Sequence, residues 1–320
     1  ESLHTPILKL TRGAICESLH FGSVAVVDSQ NKLLARHGDP NNVPFLRSSS
    51  KPFQALPLIE NGGHEFWHLT RKEIAITCAS HTGTDDHVAT IEAIHHKIVV
   101  EEPHLLCGSH PPIDPDTAFN LRQKNQEPAQ TRHNCSGKHS GMLALARLLN
   151  PPVSDYINPE HPIQIQILQT FSEMCKIDKE KIIFGTDGCS APNFAIPLRN
   201  AALGFARLCD PVPYLNSERA NACQTITDAM TAYPDMVSGP GRFDTRLMDI
   251  AQGKIISKGG AEGYQCLGIL PKAIGPDSPG IGIAIKISDG DLKNRARPAV
   301  ALEILRQLGA LDQAQLDQLA

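Results

Sequence analysis

Strand patterns stand near both ends of this chain and helical patterns fill the middle, so the strands can complete one sheet only if the two ends come together. Gly22-Ser23-Val24-Ala25-Val26-Val27-Asp28 and Lys32-Leu33-Leu34-Ala35-Arg36 flank the turn residues Ser29, Gln30 and Asn31, the pattern of a hairpin. Tyr264–Leu270 and Ile281–Ile287 read as strands, and Leu292–Leu308 as a closing amphipathic helix. Between them, apolar spacing and flanking breakers predict helices near Asp86–Ile98, His139–Leu149, Pro162–Cys175, Pro197–Leu208 and Glu218–Ala232. Pro-containing loops at 103–116, 150–162 and 234–242 punctuate the middle without forming a linker, and no repeat is evident. The expectation is one compact unit over 1–320, with a sheet-bearing lobe at about 1–80 and 250–320, a helical lobe at about 81–249 and a cleft between them.

With 320 residues the chain can bury a substantial core, and its charge of −4 with no Lys/Arg block argues against a nucleic-acid or anionic-membrane partner. A small-molecule substrate fits better. No apolar run reaches the length of a transmembrane helix, and residues 1–20 lack a basic segment followed by an apolar signal core, so a cytoplasmic location is expected. The nine cysteines are an odd count without framework spacing, which points to reduced thiols. Cys175, Cys209 and Cys223 sit in helical patterns and read as core residues, whereas Cys135 and Cys189 lie in polar Gly/Ser-rich loops.

The chemistry-bearing signal begins at Arg47-Ser48-Ser49-Ser50-Lys51-Pro52-Phe53-Gln54. Pro52 suits a first helical turn, Ser50 a cap, and Phe53, Leu56 and Ile59 recur near helical spacing until Gly62-Gly63. Ser48 and Lys51, three apart, would share a helix face, where an uncharged amine can take the serine proton and create a nucleophile. A serine that merely caps the helix is the plainer alternative. A second serine, Ser80, follows the alternation Ile74-Ala75-Ile76 and is expected at a strand end. Lys258 leaves the strand-like Ile255-Ile256 and precedes Gly259-Gly260, where glycines permit close backbone approach to a ligand. Ser-x-x-Lys, a second serine and a later Lys-Gly follow the motif order of penicillin-binding proteins and serine β-lactamases, although Gly259 replaces the usual hydroxyl residue.

Two further blocks, Arg132-His133-Asn134-Cys135-Ser136-Gly137-Lys138-His139-Ser140-Gly141-Met142 and Gly185-Thr186-Asp187-Gly188-Cys189-Ser190-Ala191-Pro192-Asn193, carry a closer likeness. With Arg47–Pro52, Thr77–Gly83, Gly239-Pro240-Gly241-Arg242-Phe243-Asp244-Thr245 and Lys258–Gly263, they resemble the thermolabile, Rhizobium etli-type L-asparaginase family across most of the chain. The resemblance implies an α/β fold of the serine β-lactamase and penicillin-binding-protein type, a homodimer, and hydrolysis of L-asparagine to L-aspartate and ammonia. It implies paired Ser48 with Lys51 and Ser80 with Lys258, and a zinc site at Cys135, Lys138 and Cys189. Donor chemistry alone would favour Cys135, His139 and Cys189, with Asp187 as a further candidate, because an amine must lose its proton to ligate. On the resemblance, His139 and Asp187 orient ligands, water or substrate. Arg47, or another cleft cation, is expected at the substrate α-carboxylate and Asp187 at its α-ammonium.

Two other classes are consistent with parts of the sequence: a penicillin-recognising serine acyltransferase and a non-enzymatic zinc-stabilised binding module. His64-Glu65-Phe66-Trp67-His68 matches a zinc-protease signature but has little room for the required helix before the capping box Thr70-Arg71-Lys72-Glu73. Asn134-Cys135-Ser136 matches a glycosylation acceptor that a cytoplasmic chain would never use. No Gly-x-Gly-x-x-Gly or phosphate-binding Lys loop is present, which speaks against a nucleotide cofactor.

Overall fold

The computed structural model describes residues 3–320. Its central feature is a six-stranded antiparallel sheet to which both ends of the chain contribute. The N-terminal strands are β1 (Thr5–Arg12), β2 (Ile15–Asp28) and β3 (Leu33–His37). The C-terminal strands β6 (Ile255–Gly260), β7 (Tyr264–Ile269) and β8 (Ile281–Ile287) complete the order β1-β2-β8-β7-β6. The 14-residue β2 pairs along one edge with β1 and then β3, and along the other with β8. A small separate sheet joins β4 (Ile183–Thr186) to β5 (Pro192–Ala195).

Helices cover both faces of the large sheet, which explains why β7 and β8 read as near-continuous apolar runs. Alternate residues of β2 serve different cores: Ala25 and Val27 join the large cluster with α8 (Leu198–Cys209), while Val24 and Val26 face α12 (Ala296–Gln307). The large cluster continues through α1 (Lys51–Glu60), α3 (Arg71–Thr77), α4 (Asp85–Ile98), α6 (Ser136–Leu149), α7 (Pro162–Cys175) and α9 (Ser217–Ala232). The shorter α2 (Gly63–Phe66), α5 (Pro115–Gln123), α10 (Pro234–Ser238), α11 (Phe243–Ala251) and α13 (Gln313–Leu319) complete the helical elements. Among the described residues no helix is long and apolar enough to cross a membrane.

Several local expectations change. Ile74-Ala75-Ile76 is helical: the Thr70/Glu73 capping box satisfies two first-turn donors and starts α3, so Ser80 follows a helix end instead of a strand. Lys258 lies within β6, paired opposite Cys266, because the glycines after it continue the strand. The zinc-protease match falls on the four-residue α2, and His68 has a left-handed φ of +51°, so no helix face unites its two histidines. Of the nine cysteines only Cys16 is exposed, and all are free.

Candidate active site

The serine-lysine residues converge because three chain segments are tied side to side. Arg47–Ser50 forms a 3-10 turn that feeds directly into α1, with Pro52 in the first turn where its missing N–H costs nothing. Ser50 does not cap α1 with its side chain; its Oγ donates to Arg47 O at 2.8 Å. Ser49 Oγ donates to Lys258 O at 2.7 Å, which joins this turn to β6. Gly260 permits the same approach, since a Cβ there would stand 2.4 Å from Leu46 O. Arg47 itself holds a left-handed φ of +50°, strain sustained by its N–H donating to Asn193 Oδ1 and its Nε donating to Asp187 Oδ1 at 2.7 Å.

Lys51, almost fully buried at the start of α1, donates to Ala79 O (2.6 Å), Ser80 Oγ (3.0 Å) and Cys135 Sγ (3.1 Å). Lys258 Nζ reaches the same Ser80 Oγ at 2.9 Å and also donates to Gly259 O. The loop after α3 is held for this purpose by Ser80 N donating to Val237 O. Both lysines therefore meet at Ser80, and no hydrogen bond joins Lys51 to Ser48. Ser48 opens onto the same cavity of about 570 Å³ with no side-chain hydrogen bond.

Burial, with the Lys51 cation beside it, lowers the Lys258 amine to about 7. Asp244 moderates that effect. Burial acts to raise its carboxyl, but Lys258, Arg297 and hydrogen bonds from Ser257 Oγ and Gly259 N outweigh it and hold the group below its ordinary value. A neutral amine near neutrality, hydrogen-bonded to a hydroxyl, is the arrangement that general-base catalysis requires.

A second cluster adjoins the first through Lys51 and Cys135. The donor atoms of Cys135, Asp187 and Cys189 all lie within 4.8 Å of one another, and Lys138 Nζ donates to Cys189 Sγ at 2.8 Å. The approach of α6, which carries Lys138, to α3 depends on Gly137, whose Cβ would lie 2.1 Å from Ile76 O. The bond with Cys189, helped by Lys51 and Lys138, outweighs burial and drives Cys135 toward thiolate. The thiols and Asp187 likewise overcome desolvation and hold the Lys138 amine above its ordinary value. His139 accepts or donates at Nδ1 with Tyr156 OH at 2.6 Å, and burial lowers it to about 4. Its buried Nε2 lies toward Cys189 but outside hydrogen-bonding geometry. Two thiols with an amine and a carboxylate in reach are a donor set that suits zinc, and Lys138 can join only by losing a proton.

The cavity wall also contains His110, His133, Asp244, Glu262 and Arg297, which sequence reasoning did not single out. Arg242 was visible only as part of a glycine-rich block.

The family profile described as L-asparaginase II matches residues 8–320. Among solved structures, the chain is similar to a probable glutaminase from Bacillus subtilis complexed with 6-diazo-5-oxo-L-norleucine, at 13% identity over 90% of this chain and 84% of that one, with a TM-score of 0.41. A Bacillus glutaminase is similar at 14% identity over 89% of this chain and 90% of the other, with a TM-score of 0.40. No curated protein matches the sequence. A match that runs through nearly the whole length settles the affiliation: the chain belongs to the L-asparaginase II family and is an amidohydrolase.

Proposed function

We propose that the protein hydrolyses L-asparagine to L-aspartate and ammonia through a serine acyl-enzyme, within a single catalytic unit of the serine β-lactamase and penicillin-binding-protein type. The observation that carries this reading is Ser80 Oγ held between Lys51 and Lys258 in the cavity onto which Ser48 opens. Ser48 attacks the side-chain amide carbon. Its proton goes to Lys51 as Lys51 passes one through Ser80 to neutral Lys258, so the charge ends on Lys258. That one proton returns by the same route to the amide nitrogen as the C–N bond breaks, so ammonia departs, Lys258 is neutral again, and an aspartyl ester remains that water hydrolyses with the same groups as base. Activity should rise with pH through about 7 as Lys258 becomes neutral.

Arg47 and Asp187 line the cavity and are the substrate-side groups of this reading, whereas His139 is fully buried behind the wall and can act on substrate only through its neighbours. Arg47 and Asp187 already bond to each other, so either can meet a charged substrate group only by loosening that 2.7 Å contact. Cys135, Lys138 and Cys189 would hold zinc, with Asp187 and His139 beside them. A bound zinc ion would supply a fixed positive charge that locks the Cys135 and Cys189 loops together. A homodimer belongs to the same reading through the family resemblance.

A second assignment, acylation of Ser80, is favoured by its two lysine contacts. Ammonia release from asparagine and glutamine tests the activity, and peptide mapping of the trapped ester tests the serine. The adduct is expected on Ser48. An adduct on Ser80 alone reverses the assignment, and a Ser48→Ala enzyme as active as the parent removes the scheme.

A further inference from the structure

We propose that Arg242 and Glu262 form the recognition pair for the α-carboxylate and α-ammonium of the amino-acid substrate, an inference that rests on the asparaginase reading above. Both side chains line the cavity that holds Ser48 and Ser80. An amino-acid amide is a zwitterion at neutral pH, so a site that selects it from simple amides needs one available cation and one available anion.

The other charged side chains on this wall are committed. Arg47 is bonded to Asp187. Arg297 Nη1 donates to Gly260 O (3.2 Å) and Tyr264 O (3.0 Å), and its Nε donates to Asn294 Oδ1. Asp244 accepts from Ser257 Oγ, Gly259 N and Gln265 Nε2. Asp291 accepts from the N–H groups of Arg295, Ala296 and Arg297, and Lys258 is engaged with Ser80. Arg242 and Glu262 are the charged wall residues, among those described, whose side chains carry no hydrogen bond or close ion pair; the nearest cation to Glu262 is Lys286, whose Nζ is spent on Glu262 O at 2.6 Å.

Two solvated rim charges would look similar if their backbone were loose, but it is anchored. Arg242 is the residue before α11, and Asp244, two residues on, is buried with its Oδ2 accepting from Gly259 N at 2.8 Å. Glu262 stands in the turn between β6 and β7, which begins directly after that strand segment. The Asp244–Gly259 bond therefore holds Arg242 and Glu262 on adjoining segments of one wall. The planar guanidinium of Arg242 offers paired N–H donors to a carboxylate, and Glu262 offers acceptors to an ammonium.

The test compares L-asparagine with 3-aminopropanamide, which lacks the α-carboxylate, and succinamate, which lacks the α-ammonium. Arg242→Gln should lower kcat/KM for asparagine by about 100-fold, mainly through KM, and leave 3-aminopropanamide unchanged. Glu262→Gln should lower it by about 10-fold and leave succinamate unchanged. Where a truncated amide is not turned over, its Ki as a competitive inhibitor reads the same difference. Far-UV circular dichroism and the thermal midpoint confirm that both variants are folded. Near-parental kinetics on asparagine, or losses that persist in full on the truncated amides, overturn the pair. So does Arg47→Gln if its loss, in place of that of Arg242→Gln, disappears on 3-aminopropanamide. A parent enzyme that releases ammonia from neither asparagine nor glutamine overturns the underlying reading and the pair with it.

Discussion

Lys258 and Lys138 are both buried lysines in neighbouring clusters, yet their amines move in opposite directions. Lys258 falls to about 7, whereas Lys138 is held above its ordinary value. Burial disfavours the ammonium in both, so burial cannot be the cause of the difference. The neighbours decide it. Lys258 has the cations Lys51 and Arg297 nearby, and its one close carboxylate, Asp244, is shared with Arg297 and three hydrogen-bond donors. Lys138 has two thiols and Asp187. A neutral amine is thus prepared for proton transfer in one cluster, and a charged amine balances thiolate in the other.

The largest effect that can break this contrast comes from Lys258→Met. Loss of the proton acceptor should reduce kcat by about 1,000-fold or more, read by ammonia release at pH 8. The same change should stabilise the fold in acid. Between about 7 and 10.5 the unfolded chain binds a proton that folded Lys258 does not, so stability falls as pH falls and the full penalty is present below 7. After allowance for the lost hydrogen bonds, a gain of about 2 kcal/mol is expected at pH 6 and little at pH 10 in denaturant titrations. An inactive variant with no acid stabilisation would mean that Lys258 is not held neutral by its surroundings.

The Lys138 cluster makes the reverse prediction. Zinc should release about two protons per site at pH 7, from Lys138 and from the thiol that Cys135 and Cys189 share. Calorimetry in buffers of different ionisation enthalpy counts them. Lys138→Met should release about one proton fewer and bind zinc more weakly. Chelation should lower the thermal midpoint of the parent by several degrees and that of the variant by less. Release of about one proton by the parent, from the thiol alone, would show that the amine stays charged and outside the coordination sphere.

The two clusters were not equally legible in the sequence. Ser48, Lys51, Cys135, Lys138 and Cys189 stand in compact motifs, and the structure gathers them as neighbours. The strands at both chain ends were readable from short apolar runs bounded by turn residues, except β1, whose partly exposed pattern gives little periodic signal. Partner choice was not readable. Ser48 and Lys51 are three apart, but the Lys51 amine is taken up by Ala79 O, Ser80 Oγ and Cys135 Sγ, partners that no sequence spacing reveals. The strand expectation at Ile74-Ala75-Ile76 failed because a short apolar run fits either period, and the capping box decided it. Gly260 was recognised as a close-approach glycine, yet what approaches is Leu46 O, so its role is to seat the serine turn on β6. Asp244 was visible within the Gly239–Thr245 block but its role was not, because its partners, Ser257, Gly259 and Gln265, come from strands that the sequence alone does not place beside α11.

Asp244 gives the subtlest way to sharpen the contrast, because with Cys135 it is one of the two groups near Lys258 that resemble the anionic surroundings of Lys138. Its carboxylate works to raise the Lys258 amine against burial and Lys51. Asp244→Asn keeps a similar shape and an acceptor for Ser257 or Gly259 N, but removes the charge. The acid limb of the kcat/KM profile, set by Lys258 near 7 in the parent, should then move to lower pH by about one unit. Activity at pH 6 relative to the plateau should increase even if the plateau falls, since a smaller fraction of Lys258 carries the blocking proton there. A limb that moves to higher pH would contradict the electrostatic account. An unmoved limb would assign the pH dependence to a different group, with Lys51 the next residue to substitute, because it shares Ser80 Oγ with Lys258.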